Sequence, residues 1–348
     1  MKVVGVIGYS GYVGSVTCDY LEQYVTVIKG SRSAVDDGKK LFRVDVEDEK
    51  LLHSFCSKCD LVINCAGPSY LIKDKVAKVA ASLQIPYIDA FGCGKTIELC
   101  KSHGGMNIIG AGFIPGISGS IIKELAREGY GDATFELYHG GEEMGGKAAL
   151  MDIVKSSIDH YIKPGFCMED GELRKYNESD IYEYEEDFDC PVNKKMCFTE
   201  EDRQLVNTIG MKNLKDIQVH PDDFSLKMIG ALCLQELEEN GNDSFYDKAI
   251  EKQREHMKDR TPWFCIKGVR ENDEGSETIM IKGDNSSLLT GLTLGICARK
   301  VLEMKFCNDT KWLFEIMDYD FLSQELQRYG VVIDRRVKLN PVMEYGDI

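Results

Sequence analysis

The sequence lacks any long hydrophobic run. A helix that spans a bilayer needs roughly 20 consecutive apolar residues, and the first apolar run, Val3–Ile7, is also too short for the core of a secretion signal. We therefore expect a cytoplasmic protein with no membrane partner, whose 13 cysteines are reduced thiols. The single CxxC, at Cys56 and Cys59, has no second pair nearby, so the sequence predicts no metal site.

Basic residues and prolines are also scarce. The chain has 42 bases against 58 acids, for a net charge of −16. This balance argues against a nucleic-acid partner, because such binding needs clustered Lys and Arg. Eight prolines and 33 glycines exclude a collagen-like or low-complexity chain. A small anionic ligand remains compatible with the composition, because the local field is separate from the net charge.

Strands and helices alternate regularly from the N-terminus to Gly112. A length of 348 suggests two domains at roughly 150 residues each. Such alternation is typical of βαβ units in a parallel sheet. The predicted strands are Val3–Ile7, Tyr24–Ile28, Phe42–Val46, Leu61–Cys65, Tyr87–Ala90 and Asn107–Ala111. The predicted helices between them are Tyr12–Tyr24, Val46–Cys56, Leu71–Leu83 and Lys95–Ser102.

The pattern changes after Pro115-Gly116. Strands are predicted at Thr134–His139, Pro262–Val269 and Ser276–Lys282, and helices at Ile117–Arg127, Ala148–Ile162, Phe224–Glu239, Phe245–Lys258, Ser287–Glu303 and Lys311–Arg328. The acidic stretch from Lys163 to Asp202 is expected to form hairpins or a long loop, with Tyr182–Phe188 as a surface hairpin or a lid. We predict domains at 1–116 and 117–310, and a segment 311–348 that packs back on the first domain.

A glycine-rich loop follows the first strand. It reads Gly8-Tyr9-Ser10-Gly11-Tyr12-Val13-Gly14, between a strand and a helix. The first glycine permits a tight turn, the second lets the backbone approach a pyrophosphate, and the third lets the helix pack on the sheet. The helix N-terminus then offers free N–H groups to the phosphates. The loop predicts a dinucleotide site, although a strand–turn–helix that only needs small residues fits the same pattern.

The end of the second strand indicates which dinucleotide binds. An NAD site usually carries Asp or Glu there, and none occurs between Gln23 and Val35. Ser31, Arg32 and Ser33 suit the 2′-phosphate of NADP(H), so NADP(H) is favoured over NAD(H). A solvated surface role for Arg32 remains the alternative. Asp45 is expected either near the adenine or as a helix N-cap.

Two further loops are expected at the same edge of the sheet. Asn64-Cys65-Ala66-Gly67-Pro68 ends the fourth strand, and its small residues would let a nicotinamide ribose lie against the backbone. Phe91-Gly92-Cys93-Gly94 follows the fifth strand and is expected to face the nicotinamide.

These motifs resemble the saccharopine dehydrogenase-like family of NAD(P)-dependent oxidoreductases. The resemblance is good over positions 1–130 and is weaker through Gly140–Gly146 and Pro262–Glu303. It rests on Gly8–Gly14, Gly30-Ser31-Arg32, Val62–Pro68, Pro86–Asp89 and Gly112–Gly116. It implies an α/β fold, with an N-terminal Rossmann-type parallel sheet and a second α+β domain for substrate binding and dimerisation. It also implies a homodimer and hydride transfer to or from a carbon–nitrogen bond of an amino-acid-like substrate.

The candidate catalytic residues have weaker support. Asp89, Cys93, His139 and Lys147 are predicted, with Tyr138 and His220 as further candidates. His139 can shuttle a proton near neutral pH, and Lys147 can hold a carboxylate. Each of these residues also has a purely structural interpretation that fits the sequence equally well. Asp89 can cap a turn or a helix, His139 can be hydrogen-bonded at a strand end, and Lys147 can be a solvated side chain. The sequence favours a reductase, because an NADP(H)-binding sensor without turnover, the alternative, does not need a large second domain over the nicotinamide edge.

Overall fold

The chain up to Gly116 forms the core of a parallel sheet in the computed structural model, which describes residues 2–92, 94–127, 133–176, 182–238 and 243–340. The strands are β1 Val3–Ile7, β2 Thr26–Ser31, β3 Leu41–Arg43, β4 Leu61–Asn64, β5 Tyr87–Asp89 and β6 Asn107–Ile109. The helices are α1 Tyr12–Leu21, α2 Glu49–Cys56, α3 Ser69–Ile72, α4 Lys75–Ser82 and α5 Gly94–His103. The predicted helix Leu71–Leu83 is two helices, because Lys73 has a φ of 55° between them.

The second half is built around a mixed sheet. Its helices are α6 Ile117–Leu125, α7 Lys147–Ile158, α8 Glu200–Ile209, α9 Phe224–Glu238, α10 Ser244–His256, α11 Ser286–Glu303, α12 Leu313–Ile316 and α13 Tyr319–Arg328. Its strands are β7 Thr134–Glu142, β8 Lys163–Pro164, β9 Phe166–Glu169, β10 Glu172–Lys175, β11 Glu183–Glu185, β12 Cys190–Phe198, β13 Asn213–His220, β14 Trp263–Asn272, β15 Gly275–Gly283 and β17 Val332–Leu339, while β16 Thr310–Trp312 joins the first sheet. The predicted fold class is therefore confirmed.

The parallel sheet has the order β16-β6-β5-β4-β1-β2-β3. Its strands are apolar because helices cover both faces, and all four residues of β4 are buried. The strands β1 and β4 are neighbours in this sheet, and Ile7 pairs with Asn64 at their carboxyl ends. Strand order reverses between these two strands, so this is the crevice in which such sheets bind ligands.

The carboxyl-terminal segment contributes to both sheets. The predicted helix Lys311–Arg328 is wrong at its start, because β16 pairs with β6 at the edge of the parallel sheet. The long helix begins only after Asp318, whose carboxylate accepts from the Phe321 N–H. β17, which the sequence did not predict, pairs with β15 at the edge of the mixed sheet.

The mixed sheet runs β10-β9-β13-β7-β14-β15-β17, with β12 also paired to β13. Its inner face, which carries His139, Asp216 and Phe264, packs partly on α6. A Cβ at Gly268 would lie 2.4 Å from Ile121 Cγ2, so only glycine allows this approach. The helix α6 thereby ties the mixed sheet to the parallel sheet that it follows in the chain.

The acidic stretch forms antiparallel pairs, as the hairpin alternative predicts. The Asp187 carboxylate lies 2.9 Å from Lys267 Nζ, and Phe188 packs in a cluster with Val219 and Cys265. Lys267 pairs in register with Tyr138, which neighbours His139 in β7. Neighbouring residues of a strand point to opposite faces. The segment Tyr182–Phe188 therefore covers the outer face of the mixed sheet, opposite His139.

A parallel pair of helices joins the two halves. A Cβ at Gly291 of α11 would lie 2.7 Å from Val16 Cβ, and one at Gly295 would lie 2.5 Å from Tyr20 Cδ1. The Thr17 hydroxyl donates to the Gly291 carbonyl at 3.0 Å. The small residues let α11 lie close against α1. Within the described residues, no helix is both long and apolar enough to cross a membrane.

Candidate active site at the carboxyl edge of the parallel sheet

Two glycines of the first loop are required by the fold itself. Gly8 has a φ of 84°, and a Cβ there would lie 2.5 Å from the Ala66 backbone nitrogen. A Cβ at Gly14 would lie 2.3 Å from the Gly8 carbonyl oxygen. Real contacts are essentially never this short, so these positions need glycine whether or not a ligand binds.

Gly11 is different, because the protein leaves room for a side chain there. Its φ of −78° and ψ of 162° are accessible to any residue. The nearest atom to a Cβ at Gly11 is the Gly8 carbonyl oxygen at 3.5 Å, an ordinary contact. The fold therefore does not require glycine at this position, whereas a ligand that approaches the backbone closely would.

The surroundings of Gly11 are open and suit an anion. Ser10, Gly11 and Tyr12 are exposed, and Tyr9 and Val13 are half-buried. No described side chain caps the N-terminus of α1, and its first turn has no acidic residue. Its first N–H groups are thus available to a phosphate. The loop fits the pyrophosphate of a dinucleotide.

The end of β2 carries an unsatisfied polar atom. The Ser31 hydroxyl is buried and has no hydrogen-bond partner among the described residues. Arg32 and Ser33 are exposed beside it, and Arg43, which the sequence analysis missed, pairs in register with Ser31. An unsatisfied hydroxyl on a residue flanked by two exposed arginines suits a phosphate. The position of Arg43 could not be predicted from the sequence, because it depends on the pairing of β2 with β3, which no local sequence motif indicates.

Asp45 follows β3, where the sequence placed it near the adenine or at a helix N-cap. Its carboxylate accepts from the Glu47 N–H at 3.0 Å. The N-cap of α2 is Asp48, which accepts from Lys50 and Leu51. The N-cap alternative for Asp45 is therefore wrong, and its placement near the adenine stays a prediction.

Asn64 and Asp89 form one buried network at the ends of β4 and β5. The Asn64 side-chain amide donates to the Asp89 carboxylate at 3.0 Å, and Asn64 Oδ1 accepts from the Ala66 N–H. Asp89 also accepts from the Tyr87 hydroxyl and, at 2.9 Å, from the Phe91 N–H. Burial raises the pKa of Asp89. Both its oxygens are engaged, so it holds the two loops in place.

The helix α7 lies across the loop that follows β4. The Asp152 carboxylate accepts from the Ser69 N–H at 3.0 Å and the Tyr70 N–H at 2.8 Å. A Cβ at Gly67 would lie 3.0 Å from Ala148 Cβ. This contact brings the second domain over Cys65–Pro68, where the nicotinamide ribose is expected. Burial raises the pKa of the half-buried Cys65 thiol well above its usual range.

Lys147 begins α7 and is ion-paired. Its Nζ lies 2.9 Å from both carboxylate oxygens of Asp247 on α10. Both side chains are exposed. Cys93 lies outside the described residues. Tyr138 lies on the outer face of the mixed sheet, where its hydroxyl donates to Glu136 at 2.5 Å.

A row of polar side chains, called the roof below, lies on the inner face of the mixed sheet. Its members come from three neighbouring strands and are Asn193, Lys195, Gln218, His220 and His139. Phe264, further along the same face, packs edge-to-face on Phe113 at 4.6 Å between ring centroids. Phe113 follows β6, so this end of the mixed sheet lies over the carboxyl ends of the parallel strands.

His139 is paired with a carboxylate that the sequence analysis missed. Its Nε2 lies 2.7 Å from Asp216 Oδ1, and the two side chains are 12% and 3% exposed. An ionised carboxylate can only accept, so Nε2 carries the hydrogen and Nδ1 is left for other partners. A histidine held by a carboxylate in this way is an arrangement that acid–base catalysis uses.

Two further carboxylates are buried beneath this pair. Glu201 accepts from the Gly116 N–H at 2.8 Å and from the Ser118 hydroxyl at the start of α6. Asp202 accepts from the N–H and hydroxyl of Thr199, both at 2.7 Å, in the capping box of α8. Burial, and to a lesser degree the charge of Asp216, raises the pKa of Glu201 to about 7 and that of Asp202 well above its usual range.

Stability should depend on pH through Glu201. The raised pKa means that the folded protein holds a proton there which the unfolded chain releases above roughly pH 4.3. Stability from this group is therefore lost as the pH rises through about 7. Glu201→Gln mimics the protonated side chain. We expect its melting temperature to exceed that of the wild type most at pH 8, with the difference narrowing below pH 7 and closing towards roughly pH 4.3 in thermal melts. A difference that is independent of pH would contradict the assigned pKa.

Two groups of side chains in the described part of the chain have the composition of metal ligands. His139, Cys197 and Asp216 form one, and Glu142, Asp222 and His256 form the other, each with ligand atoms within 4.8 Å of one another. In the second group Arg260 lies 2.9 Å from Asp222 and also pairs with Glu142. The carboxylates of that group are thus already neutralised by a cation.

Comparisons with known proteins agree with this architecture. The model of the NAD dependent epimerase/dehydratase family matches residues 4–84. No curated protein matches the chain. Apo saccharopine dehydrogenase (L-Glu forming) from Saccharomyces cerevisiae superimposes with a TM-score of 0.65 at 13% identity, over 97% of this chain and 100% of that one. Dipicolinate-bound dihydrodipicolinate reductase from Paenisporosarcina sp. TG-14 gives 0.42 at 10% identity, over 91% and 100%. The chain therefore has the saccharopine dehydrogenase fold, which confirms the resemblance that its sequence motifs indicate.

Proposed function

We propose that this protein is an NAD(P)-dependent oxidoreductase that transfers hydride to or from a carbon–nitrogen bond of an amino-acid-like substrate. The observation that carries the proposal is Gly11, an exposed glycine that the fold does not require, at the N-terminus of a helix. The matched family model and the saccharopine dehydrogenase fold support a nicotinamide cofactor. The structural neighbour's description as L-Glu forming supports an amino-acid-like substrate.

When bound, the nicotinamide supplies or accepts the hydride, and the protein provides binding, orientation and a proton. We assign the dinucleotide to residues Gly8–Gly14, Ser31–Ser33 and Asn64–Pro68, with its nicotinamide end beneath the roof. Asp89 and Asn64 act as positioning residues, because their hydrogen bonds fix the loops after β4 and β5. Asp152 holds α7 against the start of α3, and so closes the second domain over the crevice.

His139 is the proton donor or acceptor in this proposal. Asp216 orients its ring through Nε2. Lys147 stays a candidate for a substrate carboxylate, although it must first leave Asp247. Cys93 stays a prediction. We also propose the division 1–116, 117–310 and 311–348, and a cytoplasmic homodimer. The start of the last segment packs on the first domain, through β16, whereas β17 pairs with β15 of the mixed sheet.

NADP(H) is the proposed cofactor. The unsatisfied Ser31 hydroxyl and the exposed Arg32, Ser33 and Arg43 lie where the 2′-substituent of the adenosine ribose is expected. No carboxylate is present between Gln23 and Val35 to accept from a 2′-hydroxyl.

Arg32→Ala should weaken NADPH binding selectively. Loss of a charge-assisted contact of about 1.5–3 kcal/mol corresponds to a rise of about 10- to 100-fold in the Kd for NADPH. The Kd for NADH should stay within about twofold of the wild type. Fluorescence titration with both cofactors measures this, and Lys40→Ala, an exposed cation after the same strand, is the control. A tighter wild-type affinity for NADH than for NADPH would contradict the assignment.

The whole proposal is tested by binding followed by turnover. The purified protein is titrated with NADPH and NADH, and absorbance at 340 nm is then followed with pairs of amino acids and keto acids or aldehydes. Loss of NADPH absorbance that needs both partners supports reductive formation of a carbon–nitrogen bond. Tight NADPH binding without turnover over a broad panel would instead support the NADP(H) sensor. Absence of dinucleotide binding would refute both functions.

A further inference from the structure

The helix α9 is apolar on nearly every side, although most of its residues are not buried. From Leu226 to Leu234 the only charged residue is Lys227. Among the described residues of α9, only Leu232 is fully buried, and it packs with Val154 of α7. A helix that is hydrophobic all round is normally buried on all sides. The outward face of α9 therefore indicates a contact that the described part of a single chain does not provide.

The outward face of α9 carries two leucines beside two small residues. Leu234 and Leu237 are 63% and 65% exposed, and Gly230 and Ala231, one turn before them, are exposed as well. Residues three or four positions apart are neighbours on the surface of a helix, so these side chains form one stripe. A contiguous exposed apolar stripe is typical of an interaction surface.

Gly230 is not required by the fold of the chain. A Cβ at this position would meet nothing within 4 Å. Glycine in the middle of a helix is less stable than alanine, so Gly230 lowers the stability of α9 without allowing a close contact inside the chain. A second helix that packs against the outward face could approach more closely because of it.

Two exposed charges of opposite sign lie along the same stripe. The side chain of Lys227 is 75% exposed near the N-terminal end, where it contacts the exposed Asp223, and Glu238 is exposed at the C-terminal end. The two residues are eleven positions apart, so they project in nearly the same direction but about 16 Å from each other. Lys227 and Glu238 therefore cannot pair within one helix. They can pair between two helices that run antiparallel.

We propose that the outward face of α9 binds the same face of a second copy of this chain, as an antiparallel helix pair with two-fold symmetry. One register of this pair places Lys227 opposite the partner's Glu238. The same register places Leu234 opposite the partner's Ala231, where a small side chain leaves room for a large one. The two-fold axis repeats each contact, whereas a parallel pair would place Lys227 opposite the partner's Lys227. The inference rests on the homodimer of the proposed function, but on none of its chemistry.

The surface extends beyond the helix itself. An open cavity of about 210 Å³ lies between α3, α7 and the C-terminal end of α9, and its lining includes Tyr70, Ile158 and Leu237. In the antiparallel pair the N-terminal end of the partner helix lies there, and the partner's Leu226 can enter this cavity. A helix of 15 residues is about 22 Å long, so the contact is at the small end of specific interfaces. We therefore expect a dimer that dissociates at micromolar concentrations.

Sedimentation velocity of the whole protein over about 1–200 µM tests the surface. We expect the wild type to change from monomer to dimer over this range. Leu234→Glu should stay monomeric, with a dimer Kd raised by about 100-fold or more, because the pair would bury two charges in its apolar centre. Leu51→Glu, at an exposed leucine of α2, is the control and should dimerise as the wild type does. Thermal melts of the dilute proteins should show that both variants are folded.

A charge exchange tests the antiparallel register. Lys227→Glu and Glu238→Lys each place like charges opposite each other twice, and each should raise the dimer Kd by about tenfold. The double variant Lys227→Glu/Glu238→Lys should recover the wild-type Kd. An equimolar mixture of the two single variants should also recover it, because each variant supplies the charge that the other needs. Recovery in the mixture can only arise between two chains.

The outcomes separate this inference from the proposed function. If Leu234→Glu dimerises as tightly as the wild type, the inference is overturned and the proposed homodimer stands. If Leu234→Glu is monomeric but neither the double variant nor the mixture recovers the dimer, the antiparallel pair is wrong. A wild type that is monomeric at every concentration overturns both the inference and the homodimer, while titration with NADPH still tests the proposed oxidoreductase. If that monomer sediments with phosphatidylcholine vesicles and Leu234→Glu does not, the face binds a membrane instead.

Discussion

Gly11→Val is expected to raise the Kd for NADPH by about 100-fold or more, which is about 2.7 kcal/mol, with little effect on the stability of the free protein. The Cβ of a residue at this position meets only the Gly8 carbonyl oxygen within 4 Å, at an ordinary distance. Its φ and ψ are normal for a β-branched residue. Its side chain would occupy the space that the pyrophosphate needs. Fluorescence titration and thermal melts of the same preparation measure the two effects.

The neighbouring glycines provide the matched comparison. Gly8→Ala and Gly14→Ala should each destabilise the free protein by roughly 2–3 kcal/mol, because a Cβ there overlaps backbone atoms. The three variants therefore separate glycines that the fold requires from the one that a ligand requires. If Gly11→Val bound NADPH as tightly as the wild type, the assignment of this loop to the dinucleotide would be wrong.

His139→Gln should lower kcat by about 10²- to 10⁴-fold, the usual contribution of a general acid or base. The cofactor Kd should change little, because the roof faces the reacting end of the cofactor. Glutamine keeps a polar side chain beside Asp216 but cannot exchange a proton near neutral pH. The measurement is single-turnover oxidation of NADPH with the substrate pair found in the panel.

Asp216→Asn tests whether Asp216 acts through His139. An asparagine oxygen still accepts from Nε2, but the carboxylate is gone. We expect a smaller loss of kcat than for His139→Gln, without a change in KM. Tyr138→Phe, the neighbouring residue on the outer face, should leave kcat unchanged. If His139→Gln were as active as the wild type, a group other than His139 would have to transfer the proton.

The first domain was predictable because its signals are local. The run Val3–Ile7 and the glycines that follow it specify a buried strand, a turn and a helix N-terminus within one short segment. The order of the sheet follows from right-handed crossovers. The edge strand β16 of the same sheet could not be predicted from this local pattern. Its residues, Thr310–Trp312, are far from the rest of the sheet in the sequence.

The roof was not predictable for the opposite reason. Its residues lie on β12, β13 and β7, which are far apart in sequence and meet only through sheet pairing. β13 was missed because Asp216 stands at an inward position, where alternation predicts an apolar residue. In the proposed function, the residue that breaks the pattern is the one that orients His139. The helix α8 was missed although its capping box, Thr199 with Asp202, is visible in the sequence.

The close contact of α11 with α1 has a consequence for how the protein is made. The first helix emerges from the ribosome early, but the face that buries Val16 and Tyr20 is covered by Gly291 and Gly295, which are synthesised only after most of the chain. The strand β6 likewise lacks its neighbour on one side until β16 has been synthesised. The nascent dinucleotide domain therefore cannot complete its packing during translation of its own segment. Its final consolidation therefore waits until these segments of the second half have been synthesised.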